Sequence, residues 1–262
     1  MAAFAPMYCA VASRVLTTTS DIRTRGLLAT CLQHAGFGRA PRLDARSLAG
    51  ARHMGVALRA EVLRALNEMR ALVARVEPNS AEHVLMTLLA MRSADTYQHS
   101  LRVGLNAASL ARALDLPPDQ IPTVRRAALL HDIGKAAVPP RILRFHGRPS
   151  EDEVLALRLH VGIGEEILAA VPALASVALI VGATHERFDG AGYPNRLSGT
   201  DIPLWARIIS VADVYDAMTS VRPYQRSLSH ADANRELARV AGTQLDPDVV
   251  RAWIRMTEMR PC

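Results

Sequence analysis

The sequence predicts an all-α protein, a multi-helix bundle with an N-terminal helical extension. Three observations carry that prediction. Apolar residues recur at three- and four-residue spacing along most of the chain, and no stretch alternates apolar with polar residues as a half-buried strand would. Hydrophobic residues fill 50% of the 262 positions but aromatics only 4%, so Ala, Leu, Val, Ile and Met must build the core, a composition that suits helices. Prolines fall where helices are expected to begin, at Pro117-Pro118, Pro139-Pro140, Pro203 and Pro247.

The elements follow in order. Residues 1–53 carry the weakest pattern. Within them Ser20 to His34 reads as one amphipathic helix, and the Gly-, Pro- and Arg-rich stretch 36–51 reads as loop or linker. A long helix is predicted over 54–76, with Val56, Val62, Leu63, Leu66, Met69, Leu72 and Val73 on or near one face. Such a helix serves either to pack on the domain that follows or to connect and dimerise, and residues 54–78 are read as a connecting helix. Glu77-Pro78 ends it. Beyond lie helices at roughly 80–92, 95–114, 118–132, 138–145, 151–170, 173–184, 203–219, 230–240 and 247–259, with capping boxes expected at Asn79/Glu82 and Ser150/Glu153. The expected organisation is therefore 1–53, 54–78 and a main domain over 79–262.

The net charge of +6 admits an anionic partner, but the arginines are interspersed with Glu and Asp and form no block. That distribution speaks against a nucleic-acid surface and leaves a mild preference for a phosphate-bearing ligand. Cys9, Cys31 and Cys262 are odd in number and far apart, which fits a reducing cytoplasm rather than a disulfide framework. Met1 to Ala10 lacks the basic start of a signal peptide. The longest apolar stretch, 167–183, is interrupted by Pro172, Ser176 and Gly182, so no membrane span is expected.

The chemistry gathers at His131-Asp132-Ile133-Gly134-Lys135, which follows the apolar run Ala127-Ala128-Leu129-Leu130. Three titratable groups in such a setting need something to hold them, and imidazole with carboxylate suits a metal. Of 31 basic residues counted as Lys or Arg, Lys135 is the only lysine, a compact point charge where arginine is used everywhere else. His99, His131, His160 and His185 are predicted at the core-facing edges of helices; His34, His53, His83, His146 and His230 lie in polar settings and read as surface residues. Asp95 sits four residues before His99 on the same helix face. Asp213 is an acid inside the apolar run Ile208 to Ala212. Each alone reads better as a satisfied core residue. Together, six imidazoles and carboxylates on several helices point to a metal cluster, with iron or manganese the best match.

These residues resemble a known family. His131-Asp132, with His99 upstream and Asp213 downstream, is similar to the HD metal-dependent phosphohydrolases. The stretch His185-Glu186-Arg187-Phe188-Asp189-Gly190-Ala191-Gly192-Tyr193-Pro194 narrows the resemblance to the HD-GYP cyclic di-GMP phosphodiesterases, over roughly residues 80–259. The resemblance implies hydrolysis of cyclic di-GMP to linear pGpG, and to GMP, through a hydroxide bridging a binuclear site. It implies His99, His131, Asp132, His160, His185 and Asp213 as metal ligands, Asp132 as the bridge, and Asp95 as an additional ligand. It also implies Lys135 on phosphate or hydroxide, Gly192, Tyr193 and Pro194 at the lip, and Arg222 as a phosphate contact. Implied partners are cyclic di-GMP, signalling proteins such as diguanylate cyclases, and a second copy in a homodimer. Thr184 stands where the family carries a further histidine and Gln225 where it carries a basic residue. Those departures keep two alternatives open: a weakly active or inactive receptor of the same fold, and a hydrolase of another nucleotide.

Overall fold

A computed structural model describes residues 54–143, 149–220 and 227–258. The readings of the Ser20 to His34 helix, the 36–51 linker, the three cysteines, Arg222 and Gln225 lie outside the described residues. Among the described residues, the regular structure is helical, and the sole strand-like feature is one bridge between Ala241 and Leu245. The main helices are α1 (Val56–Val73), α2 (Ala81–Arg92), α3 (Ala94–Ala113), α4 (Ile121–Leu130) and α5 (Pro140–Leu143). They continue with α6 (Glu151–Arg158), α7 (His160–Ala169), α8 (Ala175–Val181), α9 (Leu204–Thr219), α10 (His230–Val240) and α11 (Pro247–Glu258).

One core joins them. The apolar faces of all the longer helices contribute to it, from Val62 and Leu66 at one end to Val250 and Trp253 at the other. Helix α3 lies between α4 and α9, and this trio frames the site described below. Helix α1 docks on α7, on α2 and on the 3-10 turn Ile133–Ala137. Its face Val62, Leu66, Met69, Leu72 and Val73 is buried there, and Arg70–Glu166 and Arg141–Glu61 ion pairs flank it. Val56 departs from the expected stripe: six residues before Val62, it lies about 120° round the helix from that face, and the residue is 87% exposed.

Local chemistry explains the helix boundaries. Ser150 accepts from the Glu153 N–H while the Glu153 carboxylate accepts from the Ser150 N–H, the expected capping box. The box expected at Asn79 does not form. The chain makes a 3-10 turn over Pro78–Ser80, Ser80 becomes the N-cap of α2, and Glu82 instead accepts from Arg126 at 2.7 Å. The helix predicted over 151–170 is interrupted at Leu159, and that over 118–132 begins at Ile121 and stops at Leu130. His230 is not a disengaged surface residue: its ring stacks on Tyr215 and its Nδ1 meets the Tyr215 hydroxyl.

Candidate metal centre

Helix α4 carries its last turn, Ala127 to Leu130, wholly buried into the core, and His131 closes it. The chain then tightens into the 3-10 turn that begins after Asp132. This change of pitch puts His131 and Asp132 at one point of the interior, each 1% exposed. Gly134 makes the close packing possible: a Cβ there would lie 1.9 Å from the His160 carbonyl oxygen at the start of α7. His99 comes from α3, Asp213 from α9, and His185 from the turn after α8.

All six expected ligands meet. His99 Nε2 lies 3.0 Å from Asp213 Oδ1 and 3.9 Å from Asp132 Oδ2. His131 Nε2 lies 3.5 Å from Asp132 Oδ2 and 3.9 Å from Asp213 Oδ1. On the other side, Asp132 Oδ1 is 3.3 Å from His160 Nε2, which is 3.2 Å from His185 Nε2. Two triads result, His99–His131–Asp132 and Asp132–His160–His185, and the ligand atoms in each lie within 4.8 Å of one another. Asp132 belongs to both. Lys135 Nζ donates to Asp132 Oδ2 at 2.6 Å.

The histidine tautomers suit ligation. Nδ1 of His131 donates to the Ala128 carbonyl at 2.7 Å, Nδ1 of His160 donates to the Leu157 carbonyl, and Nδ1 of His99 donates to Asp216 Oδ2 at 2.7 Å. Each ring therefore presents Nε2 to the site, the lone pair a metal needs. A second observation makes the same point. Asp132 Oδ1 is buried and has no hydrogen-bond partner among the described residues. An orphaned carboxylate oxygen beside bare imidazole nitrogens fits a divalent cation and is expensive without one.

Electrostatics sets His99 apart from His185 and the two acids. Burial works against a charged His99, yet its hydrogen bonds to Asp213 and Asp216 raise it to about 9. Burial and the neighbouring His160 push His185 down to about 3, so it is neutral. Burial also opposes charge on Asp132 and Asp213, but Lys135 and His131 for the first, and His99 for the second, hold both carboxyls well below the usual carboxylate range. Deprotonated acids and neutral imidazoles are the ligating forms, so a metal held at His99 would displace the proton that Asp213 and Asp216 keep on that ring.

Asp95 is exposed on the first turn of α3 and belongs to neither triad. Thr184 is buried in the turn after α8, and its hydroxyl donates to the Val181 carbonyl at the end of that helix at 2.9 Å.

A cavity of about 220 Å³ opens beside the triads, lined by His185, Asp213, Tyr193, Arg158, Glu186 and Gln244 among others. The loop 189–197 forms its lip. Gly192 is buried against the backbone of Glu186 and Arg187, where a Cβ would lie 2.3 Å from the Arg187 nitrogen. Its small size thus serves the chain's own packing at the lip. The Tyr193–Pro194 bond is cis, and the Tyr193 ring stacks on His185 at 5.3 Å and 15°.

Four residues at the site had no role assigned from sequence. Asp216 and Arg102 hold His99 from behind. Glu186, 4% exposed, accepts from the N–H groups of Asn195 at 2.6 Å and Leu197 at 3.1 Å. Arg158 lies over the Tyr193 ring at 5.5 Å. Asp216 carried a signal, because it follows Asp213 by three residues on one helix and so shares its face.

The HD-domain family model matches residues 83–249, a span containing both triads and Asp213. The chain belongs to the HD-domain family. A cyclic di-GMP phosphodiesterase of Pseudomonas aeruginosa is 38% identical over 199 residues, covering 75% of this chain and 47% of that protein. A 3′3′-cGAMP-specific phosphodiesterase of Vibrio cholerae is 37% identical over 168 residues, covering 63% of this chain and 32% of that one. The chain thus spans half or less of the length of these two relatives. An HDG"Y"P protein from Bdellovibrio bacteriovorus shares the fold, with TM-score 0.54 at 16% identity over 77% of this chain and 71% of that one. Within this HD-domain chain no described helix is long and apolar enough to cross a membrane.

Proposed function

We propose that the chain is a metal-dependent phosphodiesterase that hydrolyses cyclic di-GMP to linear pGpG, and on to GMP, in the cytoplasm. The observation that carries this reading is the sharing of one buried carboxylate, Asp132, by two ligand triads. A carboxylate shared by two donor sets is the arrangement that a two-metal site would use. His99, His131 and Asp213 would hold one metal, His160 and His185 the other, and Asp132 both. Mixed imidazole and carboxylate ligation suits iron or manganese. A divalent pair held there supplies a water of lowered pKa as nucleophile and offsets charge on the phosphoryl oxygens.

The chain's own residues do the rest. Lys135 neutralises Asp132 through Nζ at 2.6 Å from Oδ2; were Asp132 to hold metal, the Lys135 ammonium would be free to bind a phosphoryl oxygen. Nδ1 anchors hold three imidazoles in place, so they need no reorganisation as the reaction proceeds. Ligand pockets commonly run from about 300 Å³ upward, so the cavity of about 220 Å³ takes a phosphate and sugar and leaves the bases at the lip.

Cyclic di-GMP is favoured by the named relative of 38% identity. A mixed cyclic dinucleotide is the second reading, favoured by the cGAMP-specific relative of 37% identity. The test is anaerobic purification, metal counted per chain, and turnover of both nucleotides with Fe(II) and Mn(II) beside an Asp132→Ala control. Metal-dependent turnover lost in the control is the expected result. Nucleotide binding without turnover under either metal would leave a receptor instead.

A further inference from the structure

Two cations line the cavity, Arg158 and Arg187, and their situations differ. Arg187 is committed: its Nε and Nη2 clasp Asp189 at 3.0 and 2.6 Å. Lys135, nearer the triads, is bound to Asp132. Arg158 has no carboxylate partner among the described residues; its guanidinium lies over the Tyr193 ring. The acids that share its cavity do not compete for it. Both Glu186 oxygens accept backbone N–H groups of the lip, and Asp213 faces His99 and His131.

Position adds to this. Arg158 ends α6, two residues before His160, so its backbone is fixed by the same segment that fixes a ligand. Its guanidinium stands on Tyr193, which stacks on His185. The cation is thus held at the mouth, one ring beyond the triads, rather than over them. A cyclic dinucleotide carries two phosphates, and only one can lie on the triads at a time. The other is an anion in the same cavity, and guanidinium matches phosphate geometry with paired N–H donors.

We propose that Arg158 is a substrate-binding residue that holds the phosphate not undergoing cleavage. This rests on the reading of the site as a cyclic dinucleotide hydrolase. Arg158 gives the site a preference for substrates with two phosphates and leaves the bond-breaking step to the triads.

The experiment compares metal-loaded wild type, Arg158→Gln and Arg158→Lys on cyclic di-GMP and on bis-p-nitrophenyl phosphate, a diester with a single phosphate. A charge-assisted contact predicts that Arg158→Gln raises KM for cyclic di-GMP roughly tenfold to a hundredfold, with kcat changed by less than about threefold. KM for the single-phosphate diester should rise far less, and Arg158→Lys should recover part of the loss. Equal losses on both substrates, or an unchanged KM for cyclic di-GMP, would overturn the proposal. If wild type cleaves the diester but not cyclic di-GMP, the hydrolase reading fails on its own. Calorimetric affinity for cyclic di-GMP then decides the role of Arg158. Binding by wild type that weakens about tenfold or more in Arg158→Gln upholds it as a phosphate contact. Equal binding, or none by either protein, overturns it.

Discussion

His99 Nδ1 lies 2.7 Å from Asp216 Oδ2, and Arg102 clasps the same carboxylate through Nε at 2.6 Å and Nη2 at 3.0 Å. The carboxylate fixes the imidazole's orientation and makes its Nε2 a better ligand. Arg102 in turn holds the carboxylate, and with His99 it keeps Asp216 charged against the effect of burial, down at about 2. Asp216→Ala should weaken metal binding about 10- to 100-fold, the usual effect of removing such a partner. Asp216→Asn keeps an acceptor for the ring N–H and should lose less. Competition with a chromophoric chelator measures both, and an Asp216→Ala protein of wild-type affinity would show that packing alone orients His99.

Removal of metal should destabilise the whole domain, because the proposed ligands come from α3, α9, the turn at Asp132, the start of α7 and the turn after α8. A metal present at 100 times its Kd adds about 2.7 kcal/mol. For a domain of this size each kcal/mol moves Tm by about 2–4 °C. Chelation should therefore lower Tm by roughly 5–10 °C and readdition of Mn(II) restore it. Asp132→Ala removes the shared ligand and should abolish the response. Calorimetric melts with and without chelator provide the check.

Gly134 couples packing to the site. Its neighbour within 1.9 Å of a built Cβ is the His160 carbonyl, and the Gly164 nitrogen follows at 2.7 Å; both are backbone of α7 and cannot swing away. Gly134→Ala must push the turn off α7, separating Asp132 from His160. Overpacking of this kind costs about 1–3 kcal/mol. The variant should lose that much stability in urea and retain less metal per chain than wild type. Unchanged stability with full metal content would contradict the rigid packing described here.

Much of this site was legible because its signals were local. A charged group inside an apolar run, as at Asp132 and Asp213, announces a buried partner, and the 3.6 period placed most helices. The failures have a shared physical cause. Val56 is apolar but lies about 120° round α1 from Val62, off the face that α1 buries. Asn79 matches a capping pattern, yet Pro78 starts a 3-10 turn that gives the cap position to Ser80. The stop after Leu130, which sets the angle between His131 and Asp132, depends on how closely Gly134 meets α7. Glu186 acts on amides nine and eleven residues downstream, a loop geometry that no spacing rule encodes.

That loop gives the last prediction. Glu186 holds the lip by two backbone amides, and the Tyr193 N–H donates to the His185 carbonyl at 3.2 Å. The strap keeps the Tyr193 ring stacked on His185 and the cation of Arg158 above it. Glu186→Gln retains one oxygen but turns an amide NH2 toward a backbone N–H in a buried place, leaving donors unsatisfied at about 1–3 kcal/mol. The lip should loosen while the triads, which Glu186 does not touch, keep their metal. The expected signature is faster proteolysis within 189–197 and a KM for cyclic dinucleotide raised severalfold, with metal per chain near the wild-type value. Metal loss in parallel with the rise in KM would mean that the strap supports His185 itself and not only the lip.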